Sequence, residues 1–204
     1  MTRPQLELKN YLAKQGLLKT NVLKEAFTKV DRKDFVLKEN TLLAYEDFPI
    51  PIGFGQTISQ PSTVAFMLDL LDIEPGQKIL DVGSGSGWTT ALVAKAVGPT
   101  GQVFAVEKIK ELVNFGLHNL AKYKLKNISM EISGKKIGLP SEAPFDRILV
   151  SAAAEYLPND LIKQLKTNGV MIIPIKNSVW KITRKSKTEI LKQEFPGFMF
   201  VPLR

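Results

Sequence analysis

The run Lys78-Ile79-Leu80-Asp81-Val82-Gly83-Ser84-Gly85-Ser86-Gly87, followed by the apolar pattern from Trp88 to Val97, constrains this chain most strongly. A short apolar run ending in an acid, three alternating glycines and then a helical pattern reads as strand, tight loop and helix. Glycine lets backbone approach a ligand closely and takes positive φ, and the helix start offers unpaired N–H groups. The theme then repeats. Gln102–Glu107 and residues 127–132, 145–151 and 169–175 read as strands, with helices at 111–123 and around 157–165. Strands alternating with helices predict βαβ units on a parallel sheet. Upstream, Leu6, Leu8, Tyr11, Leu12, Val22, Leu23, Ala26, Phe27 and Val30 fall at mostly helical spacing, with breaks at Gly16 and Asp31. At the other end, residues 179–184 and 198–203 flank a polar turn region and read as a closing antiparallel pair. The expected architecture is a doubly wound α/β sheet with an N-terminal helical cap.

Glu107 ends the strand after the glycine loop, twenty residues beyond Gly87. At that position a carboxylate can accept both hydroxyls of a ribose. Dinucleotide sites use G-x-G-x-x-G, whereas the glycines here alternate, and no phosphate-cradling lysine follows as in a P-loop. The loop therefore points to a nucleoside cofactor of another kind, with Asp81 as part of its site.

Composition removes several chemistries. The chain has 204 residues, no cysteine and a single histidine, His118. Disulfides, thiolate nucleophiles and Cys-based zinc sites are excluded, as is a poly-His metal centre, and no metal is expected. No apolar run approaches the ~18 residues of a membrane span. The polar start, residues 1–16, lacks an apolar signal core, so a soluble cytoplasmic protein is expected; a monomer is expected as well. The net charge is +8, and from Asp160 onward nine Lys or Arg stand against three Asp or Glu. These basic residues are scattered with little aromatic interleaving, which favours a solvated surface over a nucleic-acid face.

Residues 45–61, Tyr-Glu-Asp-Phe-Pro-Ile-Pro-Ile-Gly-Phe-Gly-Gln-Thr-Ile-Ser-Gln-Pro, show no sustained helical pattern and suit an ordered functional loop. This segment closely resembles the signature loop of protein-L-isoaspartate O-methyltransferases, class I S-adenosylmethionine-dependent enzymes whose first motif resembles Asp81 to Gly87. Lys33-Asp34-Phe35-Val36 is similar to the family's R-x-x-F-V, Ala143-Pro144-Phe145-Asp146 to its A-P-[FY]-D, and Phe200-Val201-Pro202-Leu203 to its final strand. The resemblance implies one methyltransferase domain over residues 1–204, with helices and signature loop in 1–60 and a Rossmann-like core in 61–204. It implies a mostly parallel seven-stranded sheet with an antiparallel C-terminal strand. It also implies methyl transfer from S-adenosylmethionine to the carboxylate of L-isoaspartyl residues in damaged proteins and peptides.

By the same resemblance, Ser59 is the positioning hydroxyl of catalysis, and Thr57, Ile58, Ser59 and Gln60 line the site. Cofactor contacts are implied at Asp81, Gly83, Ser84, Gly85, Ser86, Gly87, Glu107, Lys108, Gly134 and Lys135. Ser59 has a second reading as N-cap of the helix that Pro61 opens. Trp88 reads equally as a cofactor neighbour or a core residue. The chain departs from the family at Gly134, where an aspartate reaches the adenine amino group, at Met199, which replaces an arginine, and at Ser62-Thr63, without histidine. Two alternatives follow: a carboxyl methyltransferase with another acceptor, or a catalytically weak module binding damaged chains or nucleic acid.

Overall fold

The computed structural model describes residues 2–203. Helices α1 (Arg3–Lys14) and α2 (Asn21–Lys29) begin at Thr2 and Thr20, whose hydroxyls accept from the Gln5 and Leu23 N–H groups. Two 3-10 turns, Arg32–Phe35 and Lys38–Leu43, lead into a hairpin, β1 (Ile50–Gly53) and β2 (Gln56–Ile58). The alternating part comprises α3 (Pro61–Leu71), β3 (Lys78–Val82), α4 (Trp88–Val97), β4 (Gln102–Glu107), α5 (Lys110–Ala121), β5 (Ile128–Ile132), β6 (Phe145–Val150), α6 (Asn159–Lys163) and β7 (Leu165–Ile175). β8 (Ser178–Arg184) and β9 (Ile190–Pro196) complete the chain's strands.

Seven strands form one sheet in the order β5-β4-β3-β6-β7-β8-β9. The pairs from β5 through β7 are parallel, while β8 is antiparallel to both its neighbours. The mostly parallel sheet with antiparallel pairing at its C-terminal end is as expected. Alternation puts Ile79, Val103, Leu149 and Ile172 on one face, in a core shared with α1 to α5. Leu80, Val82, Ile148, Val150 and Met171 face the other way, against Leu161 of α6. No helix among the described residues is long and apolar enough to cross a membrane.

The closing pair differs from the expectation. The partner of β8 is β9, not residues 198–203. Lys185 and Ser186 N–H groups both donate to the Glu189 carbonyl, closing a tight turn after which the strand resumes at Ile190. Lys192, Gln193 and Glu194 make β9 a polar edge, which hides it from apolar pattern reading. Gly197, at φ 96°, turns the chain out of the sheet. Residues 198–203 then cross back over the end of β6, where Ala153 N–H donates to Val201 and Leu203 N–H donates to Ala153. β7 also starts earlier than expected. Leu165 pairs with Phe145 ahead of a register shift, so the preceding helix is only five residues long.

Candidate functional site

Strand order reverses between β3 and β6, whose carboxyl ends lie side by side with Val82 opposite Val150. Ligands of open α/β sheets bind at such a switch point. A cavity of about 520 Å³ opens there, within the range of small-molecule sites. Gly83 and Gly85 from the first strand's loop, Glu107 and Lys108 from β4, Ser133 to Lys135 after β5, and Ser151 after β6 line it. The hairpin contributes Ile52, Gln56 and Thr57, and the C-terminal segment contributes Val201 to Leu203.

The glycine loop is held from several sides. Gly85 N–H donates to Glu107 Oε2 at 3.0 Å, while Lys108 and Ile109 N–H groups donate to Oε1 at 2.7 and 3.0 Å. The carboxylate is thus fixed with room on Oε2 for a further donor such as a ribose hydroxyl. A Cβ at Gly85, φ 54°, would come within 3.3 Å of Ile52 Cδ1, so a side chain there would press on the hairpin. Gly87 has a different reason. At φ 89° its Cβ position lies 3.2 Å from Leu120 Cγ, so this glycine lets α4 start against α5 and does not line the cavity. Asn119 on α5 anchors the loop by donating to the Ser86 carbonyl.

Asp81 lies beneath the loop, fully buried, and is likewise absent from the cavity wall. Its Oδ2 accepts from the Thr89 and Thr90 hydroxyls at 2.8 and 2.7 Å, tying the first turn of α4 to the end of β3, and its Oδ1 has no partner. Burial pushes its carboxyl up to about 6, against the pull of the two threonines. The native state then holds a proton that the unfolded chain has released between pH 4 and 6. Stability conferred at this position is present at low pH and declines as pH rises through that window. Asp81→Asn is expected to remove this decline, measured as the difference between wild-type and variant urea unfolding free energies across pH 4 to 7.

A second groove of about 630 Å³ adjoins the cavity, lined by Ser59, Gln60, Ser62, Thr63 and Phe198 to Val201. Phe198 stacks on Phe66 of α3 at 5.2 Å, with Phe195 edge-on to the same ring at 5.4 Å, which seats the C-terminal segment. Ile58 and Ser59 also border a recess of about 30 Å³ formed with Ser84, Ser86, Trp88 and Thr89. Thr57 and Ser151 line all three spaces and Val201 lines the cavity and the groove, so those two spaces meet at these three residues. Ser59 does not cap α3. The N-cap is Gln60 without a side-chain bond, and Ser62 N–H donates instead to Asp47 Oδ1 at 2.8 Å. Trp88 is a core residue, 2% exposed and edge-on to Phe27, that also borders the recess. His118 is exposed on α5, away from these spaces.

Sequence reasoning missed two residues that build this site. Ser151 carries no local signal; only the adjacency of β3 and β6 brings it beside Gly83, with its N–H donating to Val82. Arg32, which supplies the arginine of the five-position R-x-x-F-V pattern completed by Lys33 to Val36, is 1% exposed. Its two terminal nitrogens donate to the carbonyls of Ala44, Glu46, Phe48 and Ser59 at 3.0 to 3.1 Å, and its guanidinium lies 5.3 Å over the Trp88 ring. Burial lowers its pKa to about 10, still charged at neutral pH. Nothing lies within 4 Å of a Cβ built at Gly134, so this glycine is not demanded by crowding. Among the described residues no group of three or more His, Asp or Glu is arranged to hold a metal.

A family model described as Protein-L-isoaspartate(D-aspartate) O-methyltransferase (PCMT) matches residues 3–204. The protein-L-isoaspartate O-methyltransferase of Pyrobaculum islandicum is 42% identical over 98% of each chain. That of Methanopyrus kandleri is 42% identical over 98% of this chain and 91% of its own. A crystal structure of a PCMT from Plasmodium falciparum, in complex with S-adenosyl-L-homocysteine, superposes with a TM-score of 0.85 at 30% identity over 97% of each chain.

Proposed function

Because the chain belongs to the protein-L-isoaspartate(D-aspartate) O-methyltransferase family, we propose that its cavity takes S-adenosylmethionine and its groove the damaged peptide, with transfer where the two spaces meet. The enzyme methylates the carboxylate of L-isoaspartyl residues, the first step of protein repair. The observation that carries the site assignment is the shared wall of Thr57, Ser151 and Val201 between a 520 Å³ cavity and a 630 Å³ groove. We also take the chain as one methyltransferase unit, a reading supported by a core that runs without interruption from Leu8 to Val179.

The residues present fit the cofactor: a positive-φ glycine loop for close backbone approach and a carboxylate at Glu107 fixed in the cavity wall by backbone N–H groups. When bound, S-adenosylmethionine supplies a methyl group on a positively charged sulfonium. The acceptor carboxylate, with an ordinary pKa near 4, is ionised at neutral pH and needs no general base. The junction suits that chemistry, since Thr57, Ser59 and Ser151 bring neutral hydroxyls and no base. Opposite charges cancel on methyl transfer, so strong stabilisation of the separated charges would slow it. The chain's task is to align the carboxylate and exclude water, and such alignment contributes up to about 7–11 kcal/mol. The following backbone amide nitrogen then attacks the ester carbonyl and expels methanol as the succinimide closes, and water opens that ring partly to normal aspartate.

Glu107→Gln is expected to weaken cofactor binding about 10- to 100-fold by titration calorimetry, because an amide removes the charge and sets an NH₂ against backbone donors. The assigned function is tested by transfer of labelled methyl to an L-isoaspartyl peptide. Label released as methanol in base is the expected result; label that survives base treatment contradicts a carboxyl ester. Nucleic acid is not a proposed partner. Lys163 and Lys166 pair with Asp160 and Asp146, and Arg184 donates to the carbonyls of Ile162, Lys163 and Leu165.

A further inference from the structure

Two donors in the core beneath the signature loop lack partners, Trp88 Nε1 and Arg32 Nε. Burying an N–H group without a hydrogen bond is costly, so each such group asks for an explanation. Arg32 has four other bonds to backbone carbonyls. The Trp88 indole has one donor and no bond, in a residue only 2% exposed. The same ring borders the recess of about 30 Å³ beside the Ser59 side of the loop. That volume admits one water, and the hydroxyl-bearing residues around it are Thr57, Ser59, Ser84, Ser86 and Ser151, with Ser59 beside Ile58 on the loop side. Thr89, also on the wall, already donates to Asp81.

We propose that Trp88 is a positioning residue for catalysis: its indole N–H donates to a single water in this recess, and that water donates to the Ser59 hydroxyl. This rests on the assignment of Ser59 as the hydroxyl that orients the acceptor. Ser59 is then held twice from below. Arg32 fixes its carbonyl, at 3.0 Å, and Trp88, stacked under the guanidinium, fixes its hydroxyl through the water. The indole is therefore required at residue 88 for its N–H as well as for its packing against Phe27, which a phenyl ring would largely keep. A rotating serine hydroxyl has several orientations, and one fixed acceptor–donor path selects among them.

Three variants separate this role from packing: Trp88→Phe, Ser59→Ala and the double variant, each assayed on the isoaspartyl peptide. Trp88→Phe is expected to lower kcat about tenfold with peptide KM and cofactor affinity unchanged, the equivalent of one hydrogen bond. In the double variant kcat is expected to equal that of Ser59→Ala alone, because the tryptophan has nothing left to orient. Losses that multiply, or a Trp88→Phe enzyme with full kcat, overturn the proposal. A second measurement needs no variant at residue 88. The chain has two tryptophans, so ¹⁵N-indole labelling yields two assignable resonances. The Trp88 N–H is expected to show a cross-relaxation peak to water and to shift in Ser59→Ala. An indole proton with no water contact and no response to Ser59 overturns the proposal even if Trp88→Phe fails to fold. A wild-type enzyme inactive on the peptide would instead refute the acceptor assignment, leaving the indole–water contact as a separate observation.

Discussion

Ser59→Ala is expected to reduce kcat on an isoaspartyl peptide by about 10²-fold while cofactor affinity stays within about twofold. The separation follows from where Ser59 lies. It borders the groove and the recess but not the cavity that takes the cofactor. No bond from its hydroxyl caps α3, so removing that hydroxyl leaves the helix start intact, with Asp47 still accepting from Ser62. Its backbone remains clamped by Arg32. The change therefore subtracts an orienting contact from an otherwise unaltered wall. Misplacement of a reacting group by about 1 Å suffices for a loss of this size. Single-turnover rates with saturating peptide, alongside calorimetric binding of the cofactor, check it. A raised KM with unchanged kcat would make Ser59 a uniform binding contact with no part in alignment.

Arg32→Met is expected to lower stability by about 3–5 kcal/mol and the melting midpoint by roughly 10 °C. The methionine fills part of the volume but leaves the carbonyls of Ala44, Glu46, Phe48 and Ser59 without their donors. Those residues bracket the hairpin and the Asp47 cap, so the wall of the groove loosens along with the core beneath it. Arg32→Lys keeps the charge but concentrates three donors on one nitrogen, which cannot serve two pairs of carbonyls at once. It should fall between wild type and methionine in denaturant midpoint. Equal stability of the lysine variant and wild type would show that charge, and not the fork of the guanidinium, holds the loop.

The parts of this molecule that were legible in the sequence are those set by neighbours along the chain. The strand, glycine loop and helix from Lys78 to Val97 could be read directly, because apolar periodicity and glycine spacing are local signals. So could Glu107, since a βαβ unit fixes how far the next strand end lies from the loop. Gly87 was legible as a loop glycine but not in its purpose, which depends on Leu120 approaching from α5. Ser151 was invisible because it becomes a site residue only through strand order. Arg32 stands first in R-x-x-F-V, a pattern that marks the position but not its purpose, which depends on residues 44–59 folding over it. The misassigned closing strand has the same origin. An edge strand carrying Lys192, Gln193 and Glu194 need not be apolar, whereas Phe198 and Phe200 are apolar for packing and groove lining and not for sheet pairing.

The most direct test of repair methylation follows one peptide pair through repeated turnover with S-adenosylmethionine, monitoring both S-adenosylhomocysteine and peptide composition. With the L-isoaspartyl peptide, S-adenosylhomocysteine should accumulate while succinimide and then normal aspartyl peptide appear, and the matched L-aspartyl peptide should remain unmodified. Equal product from both peptides, or turnover without any gain of the aspartyl form, would contradict the account.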